Sequence, residues 1–224
     1  MMTRSGLSDE FISHTTKREF AVQKLRLAIE TGFYGPGQIL RQWQICEDLD
    51  LGVTPVREAI IQLCASGLIE RSSHHSVKVK DIDIKRLRDI YHVRRLLEEE
   101  AITLSVKNNG KALVAPLKTI NRQMKALLKS DQLEKIHLLD HQFHDTVFAG
   151  SHNAALIAAI DHIKSSFSVY ALWKSPGRLA VSVDEHARFI DSLEKGDLAG
   201  CVEAHRNHLE SGLTAATTVA RTTA

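Results

Sequence analysis

The chain has 224 residues, of which 43% are hydrophobic and 25% are charged, and its formal net charge at pH 7 is +2. This length allows one large or two modest domains, each with its own core. Basic and acidic residues are nearly equal in number both before and after residue 80. Neither part of the chain is therefore strongly basic, and net charge gives no sign of a DNA-binding domain. No apolar run approaches membrane-spanning length, so we expect no membrane segment.

The cysteines and the N-terminus indicate a cytoplasmic protein. Cys46, Cys64 and Cys201 are far apart, odd in number and lack the paired spacing of a metal site. They are therefore interpreted as small core residues in a reducing compartment. The N-terminus has no apolar stretch of the signal-peptide type.

The chain opens with a polar, unpatterned stretch, and residues 1–15 are predicted to be a flexible tail. A first helix is predicted from about Thr16 to Thr31, and Gly32 ends it. The turn Tyr34–Gly37 then leads into the next helices.

The stretch Ile45–Leu68 reads as two short helices joined by a tight turn. Thr54 is predicted to cap the second helix, Pro55 to occupy its first position, and Gly67 to end it. This arrangement is typical of a helix-turn-helix, whose second helix can enter a DNA major groove and would place Arg57 against base edges or phosphate. The alternative is an ordinary pair of helices in an all-α protein.

A short hairpin is predicted directly after the second helix. Leu68–Arg71 and Val77–Val79 are β-prone runs on either side of the polar stretch Ser72–Ser76. A hairpin in this position is the layout of a wing.

The rest of the chain is predicted to be helical throughout. Apolar residues recur at helical spacing in six segments joined by short loops, and the fourth segment is expected to reach Phe167 and Tyr170. Asp197 is the expected cap of the last helix. We therefore predict a mainly α protein with an N-terminal winged helix-turn-helix domain (16–79) and a C-terminal antiparallel six-helix bundle (80–224).

Four polar residues of the bundle lie on otherwise apolar helix faces: Asp140, His144, His186 and His208. The turn Gly196–Asp197 follows His186 and precedes His208 by similar lengths, so the two imidazoles end at nearly the same height in an antiparallel hairpin. If Asp140 and His144 face the same interior, three imidazoles and a carboxylate converge, which suits Zn²⁺, Ni²⁺ or Mn²⁺ with open positions for a ligand.

Each of these residues alone has a simpler explanation. A single histidine on an apolar face is usually a satisfied core residue, and Asp140 could pair with a lysine or a neighbouring helix. His205, one turn before His208, is the plausible supporting residue among the other histidines.

The N-terminal region resembles the winged helix-turn-helix domain of the GntR family of bacterial transcriptional regulators. The resemblance rests on Phe33–Leu40, Thr54–Ile60, Leu63 and Gly67–Ile69. It implies DNA contacts from these positions: Trp43, Thr54, Pro55, Arg57, Glu58, His75 and Ser76.

Several of those positions depart from the family pattern. Gly52 and Val53 stand where the family usually has Ser or Thr followed by Arg. Trp43 stands where the family frequently has a basic residue. In the wing, Ser76 stands where the family has a glycine, and His75 stands where its neighbour is usually basic. We therefore expect Arg57 to carry more of the recognition than usual, on an operator that differs from the family's common one.

The C-terminal region resembles the FCD ligand-binding domain of FadR-type GntR regulators. The motifs lie in Tyr91–Glu98, Asp140–His144, Glu185–Asp197 and Ala204–Leu209. The resemblance implies a divalent metal on Asp140, His144, His186 and His208 that helps to hold a small carboxylate effector. It also implies that Arg94 faces the effector, with Tyr91 and His205 beside it. The alternative for Arg94 is an i,i+4 pair with Glu98.

Together these features predict a cytoplasmic homodimeric regulator, expected to be a repressor and not an enzyme. It would bind a pseudo-palindromic double-stranded operator with an affinity that a small carboxylate-containing metabolite changes. Two alternatives remain open: a sensor in which the metal itself is the signal, and a metal-dependent hydrolytic enzyme.

Overall fold

The structure is a computed structural model that describes residues 16–73, 76–130, 132–167, 175 and 177–223. The predicted tail (1–15) and the wing residue His75 lie outside these residues. The described chain divides into two compact units on either side of the Ile82–Asp83 bond, and residues 165–167 group with the first.

The described part of the first unit contains three helices and a small antiparallel sheet. Its elements in chain order are α1 (Lys17–Glu30), β1 (Ile39–Arg41), α2 (Gln42–Leu49), α3 (Val53–Ser66), β2 (Ile69–Ser73) and β3 (Ser76–Val79). The strands lie in the order β1-β3-β2, with both pairs antiparallel. The hairpin after α3 is the predicted wing, and the winged helix-turn-helix fold is confirmed.

One core holds this unit together. Helix α1 begins at a capping box, in which Thr16 and Glu19 exchange hydrogen bonds between side chain and backbone. Leu25, Tyr34 and Leu63 are among the side chains that pack in the core with at most 1% of their surface exposed.

The predicted cap of α3 is wrong. The helix begins at Val53, and its N-cap is Gly52, in extended conformation and without a side-chain hydrogen bond. Thr54 is already the second helical residue, so its hydroxyl is not placed to cap. Pro55 is the third, where its missing amide is harmless because the first-turn amides have no acceptor within the helix. Gly67 ends the helix as predicted, at a φ of 81°.

The described part of the second unit contains helices and no strands. It consists of α4 (Ile84–Leu127), α5 (Leu133–Ala149), α6 (Ala154–Ser165), α7 (Arg178–Lys195) and α8 (Leu198–Thr223). Helix α4 is broken at Asn109, whose φ of −162° and ψ of 37° are not helical, so it forms two segments. The six predicted helices are therefore present, and the fold class is confirmed.

The ends of two helices in this unit can be compared with the predicted ones. Gly196 ends α7 in left-handed conformation, and Asp197 accepts a hydrogen bond from the amide of Gly200, so the predicted cap of α8 is correct. Helix α6 ends at Ser165, earlier than predicted. Phe167 is buried beyond that end, which explains its place in the apolar pattern, and Tyr170 lies outside the described residues.

The core of the second unit surrounds the predicted metal-binding residues. Ile102, Leu117, Met124 and Ile136 are fully buried in it, and Phe143 and Phe189 pack between α5 and α7. Among the described helices, none is long and apolar enough to cross a lipid bilayer.

Candidate metal centre and nucleic-acid interface

Three histidines from three helices meet inside the second unit. His144 of α5, His186 of α7 and His208 of α8 place one ring nitrogen each within 4.8 Å of one another. The ring centroids of His186 and His208 are 5.0 Å apart, and those of His144 and His186 are 5.1 Å apart. The predicted convergence of these side chains is therefore present.

Asp140 stands beside this cluster, one turn before His144. Its oxygens lie 3.9 Å from Nε2 of His144 and 3.8 Å from Nε2 of His186, and Oδ1 accepts a hydrogen bond from Ser182. These two separations are too long for hydrogen bonds. They are compatible with atoms that share an ion, since ligands at about 2.1 Å from a metal can be up to about 4.2 Å apart.

His186 shows most clearly that the donor set fits a metal. Its side chain is buried, its ring stacks on Phe143 at 3.9 Å between centroids, and neither ring nitrogen has a hydrogen-bond partner among the described residues. A buried polar group without a partner costs about 1–3 kcal/mol. A metal ion between His186, Asp140 and the other two histidines would bind one of the two nitrogens and remove its share of that cost.

A carboxylate outside the predicted set orients His208. Oε2 of Glu185 lies 2.8 Å from Nδ1 of His208 and 2.9 Å from Nη1 of Arg178. An ionised carboxylate only accepts hydrogen bonds, so Nδ1 of His208 carries the proton and Nε2 keeps its lone pair. This is the arrangement by which carboxylates commonly prepare histidines as metal ligands.

Burial keeps the three imidazoles neutral. It lowers the pKa of His186 to about 3 and that of His208 to about 4, the latter against the opposing effect of Glu185. Burial and the neighbouring histidines also hold the pKa of His144 well below its usual range. Because metals bind the neutral imidazole, these side chains need not lose a proton to act as ligands at pH 7.

A second buried hydrogen-bond network joins α4 to α8. Arg94 donates to Glu98 through Nε at 2.7 Å, and Glu98 lies 2.8 Å from Nε2 of His205. Burial opposes ionisation of Glu98, but Arg94 and the hydrogen bond that His205 donates lower the pKa of Glu98 to about 2. The guanidinium of Arg94 also lies over the ring of Tyr91. The pair with Glu98, left open as an alternative, is therefore present.

The three clustered histidines border a small cavity that has room for about one water-sized sphere. It is lined by Phe143, His144, Val147, Glu185, His186, Phe189, Ala204, His205 and His208. His205, predicted as an effector-binding residue, therefore reaches the cavity. Arg94 and Tyr91 are buried behind it, next to Glu98.

Sequence reasoning missed the contacts that three buried charged residues make with histidines of α8. Arg178 and Glu185 contact His208, and Glu98 contacts His205. These contacts join separate helices, so spacing along one helix does not predict them. The available signal was that Glu185 precedes a predicted ligand and lies on the buried face of α7.

The predicted DNA contacts lie on the surface of the first unit. Thr54, Arg57 and Glu58 are exposed on α3, and Pro55 is half-buried. Trp43 on α2 is 60% exposed, and Ser76 at the start of β3 is half-buried. The second helix of the motif thus has its first turn open to a binding partner.

Family comparisons agree with both units. Residues 17–79 match the description "Bacterial regulatory proteins, gntR family", and residues 89–211 match "FCD domain". The chain belongs to the GntR family with an FCD domain. This family consists of DNA-binding transcriptional regulators, so the enzymatic alternative is set aside.

Relatives of this GntR/FCD protein include curated and solved examples. The gluconate operon transcriptional repressor of Bacillus subtilis (strain 168) is 27% identical over 76% of this chain and 70% of its own. The structure of E. coli McbR/YncC is 19% identical and covers 91% of this chain and 98% of its own, with a TM-score of 0.80. A metal-free FCD domain of another regulator is 21% identical and covers 63% of this chain and 98% of its own, with a TM-score of 0.52.

Proposed function

We propose that this protein is a homodimeric repressor whose operator affinity depends on a small organic acid held near a divalent metal in the FCD domain. The observation that carries the proposal is the buried His186, whose two ring nitrogens lack hydrogen-bond partners among the described residues, next to Asp140 and two further histidines. The site lies in the same chain as a winged helix-turn-helix domain, which supports coupling between a ligand and DNA.

Asp140, His144, His186 and His208 would hold the metal, and the donor set suits Zn²⁺, Ni²⁺ or Mn²⁺. The metal would supply a Lewis-acidic centre with open positions for a carboxylate. Around it, Glu185 keeps His208 in the tautomer that can bind, and Ser182 donates to Asp140. The site's own residues thus prepare the ligands before any ion arrives.

A small carboxylate would bind beside the metal, against His205. Because the cavity has room for only about one water-sized sphere, binding would require the surrounding side chains to move apart. We include Arg94 and Tyr91 in this proposal as the cationic and aromatic groups behind the cavity. Because the guanidinium of Arg94 is bonded to Glu98, a ligand carboxylate would compete with Glu98 for it. The similarity to a gluconate operon repressor makes gluconate a sensible first probe.

The first unit would bind the operator through α3 in the major groove, with Thr54, Arg57 and Glu58 near base edges or phosphates. The adjacent Trp43 and the wing residues His75 and Ser76 complete the proposed surface. Two protomers would read a pseudo-palindromic site. Val93 and Leu96, three residues apart on α4 and both exposed, offer apolar surface for that pairing.

The test measures metal, mass and operator binding on one preparation of the full chain. Elemental analysis should find about one divalent ion per chain, and light scattering should give twice the chain mass. Operator affinity should change when gluconate or another small acid is added to metal-loaded protein, and this response should disappear after chelation.

Two outcomes would overturn parts of the proposal. A change in operator affinity on metal removal, with no response to any acid, would identify a metal sensor instead. An acid response that survives complete removal of the metal would exclude the ion from ligand binding.

A further inference from the structure

Helix α3 exposes two aliphatic side chains on the face that would meet DNA. Val53 is 56% exposed at the first helical position, and Ile61 is 53% exposed two turns later. Arg57 lies between them on the same strip of the helix surface, because residues four apart are neighbours. The opposite face of α3 is buried in the core through Val56, Ala59, Ile60 and Leu63.

Aliphatic side chains read DNA differently from polar ones. Val53 and Ile61 cannot form hydrogen bonds with base edges or phosphates. In the major groove, the only apolar group that a base presents is the 5-methyl group of thymine. Opposite cytosine or guanine, the same side chains would displace water from polar edges and return no hydrogen bond, which is unfavourable.

The separation of the two side chains fits contacts within one half-site. Eight residues of an α-helix span about 12 Å. Base pairs stack at about 3.4 Å, so this length corresponds to about three to four base pairs along the groove. Arg57 would then contact DNA between the two apolar positions.

We propose that Val53 and Ile61 determine operator specificity by packing on thymine methyl groups in each half-site. This inference rests on the proposed binding of α3 to DNA and names the groups that it reads. A protein partner on this face is disfavoured, because the two side chains are about 12 Å apart with the charged Arg57 between them and so form no continuous apolar patch.

The test isolates the methyl group chemically. An operator is first selected from a random duplex library with the full-length protein. Each thymine of a half-site is then replaced by deoxyuridine, which lacks only the methyl group, and affinity is measured by fluorescence anisotropy. We expect two thymines per half-site at which the replacement weakens binding about three- to fivefold, as the loss of one buried methyl group predicts.

Variants assign each thymine to its side chain. Val53→Ser removes both methyl groups and leaves a hydroxyl, and Ile61→Ala removes most of the side chain. Each variant should abolish the difference between thymine and deoxyuridine at one position only. Val181→Ala, at an exposed position on α7, is the matched control and should leave both differences unchanged.

The outcomes separate this inference from the proposed function. If no sequence is enriched and no duplex binds, DNA binding by α3 itself fails. If an operator is selected but deoxyuridine is tolerated at every thymine, the binding of α3 to DNA is supported and the proposed methyl contacts are wrong. Thermal unfolding of each variant confirms that it is folded, which is expected because both side chains lie outside the core.

Discussion

Oε2 of Glu185 lies 2.8 Å from Nδ1 of His208, and the same oxygen lies 2.9 Å from Nη1 of Arg178. Burial opposes ionisation of Glu185, but the hydrogen bond from His208 and the guanidinium of Arg178 lower its pKa to about 2. An ionised Glu185 therefore holds the tautomer of His208 that leaves Nε2 able to bind a metal.

The first prediction follows from this contact. Glu185→Gln should lower metal affinity by about 10- to 100-fold, because the neutral amide makes His208 a weaker and less fixed ligand. Competition with a chromogenic chelator measures the change. Asp184→Asn, an exposed acidic neighbour on α7, is the matched control and should bind metal normally. If both variants bind metal with the same affinity, Glu185 does not support the metal site.

The second prediction concerns His186. His186→Phe keeps an aromatic ring that can stack on Phe143 and removes two nitrogens that have no hydrogen-bond partner within the described part of the chain. We expect the metal-free variant to be at least as stable as the parent, with a gain of about 1 kcal/mol in the free energy of unfolding. Added metal should raise the Tm of the parent only. Full metal occupancy of the variant would show that His186 is not a ligand.

The third prediction is a pH dependence of the metal-free protein. Unfolded histidines bind protons below pH 6.5, whereas folded His186 and His208 stay neutral to about pH 3 and 4. The unfolded state therefore binds more protons, and stability falls as the pH drops. The expected loss is about 2 kcal/mol per histidine between pH 7 and 5.

Chemical denaturation in the presence of a chelator checks this pH dependence. His186→Phe should remove one histidine's share of the slope, while His92→Gln, at an exposed position on α4, should leave it unchanged. A stability that is flat from pH 7 to 5 would contradict the neutral state of these histidines.

The fourth prediction concerns Arg57, which is exposed in the first turns of α3. Arg57→Ala should weaken operator binding and reduce the slope of log affinity against log salt by about one, if the side chain contacts a phosphate. Titrations at several salt concentrations measure this slope. Arg122→Ala, on the exposed surface of α4, should change neither quantity. An unchanged slope in Arg57→Ala would exclude the phosphate contact.

The fifth prediction separates stability from ligand binding at Arg94. Arg94→Ala alone should cost about 3–5 kcal/mol of stability, because it leaves the fully buried Glu98 without its cation. Arg94→Ala combined with Glu98→Ala should recover much of that loss. If the double variant is folded and binds the operator but ignores the acid, whereas Glu98→Ala alone still responds to it, Arg94 is a ligand residue. A normal response to the acid would leave Arg94 a structural role only.

Local patterns were sufficient for much of this fold. The six helices of the second unit and the wing after α3 follow from periodicity and turn residues, which act over a few positions. The cap of α3 was predicted wrongly because a cap depends on where the backbone enters helical conformation. Here that point is Gly52, two residues before the predicted cap Thr54.

The sequence by itself determined which residue types stand on the buried helix faces, including Asp140, His144, His186 and His208. Periodicity reports the face of a helix but not its neighbours. Only the tertiary structure decided that Glu185 meets His208 and that Glu98 lies between Arg94 and His205. It also decided that the ring nitrogens of His186 have no hydrogen-bond partner among the described residues. These contacts join separate helices, and their geometry depends on the packing of the whole unit.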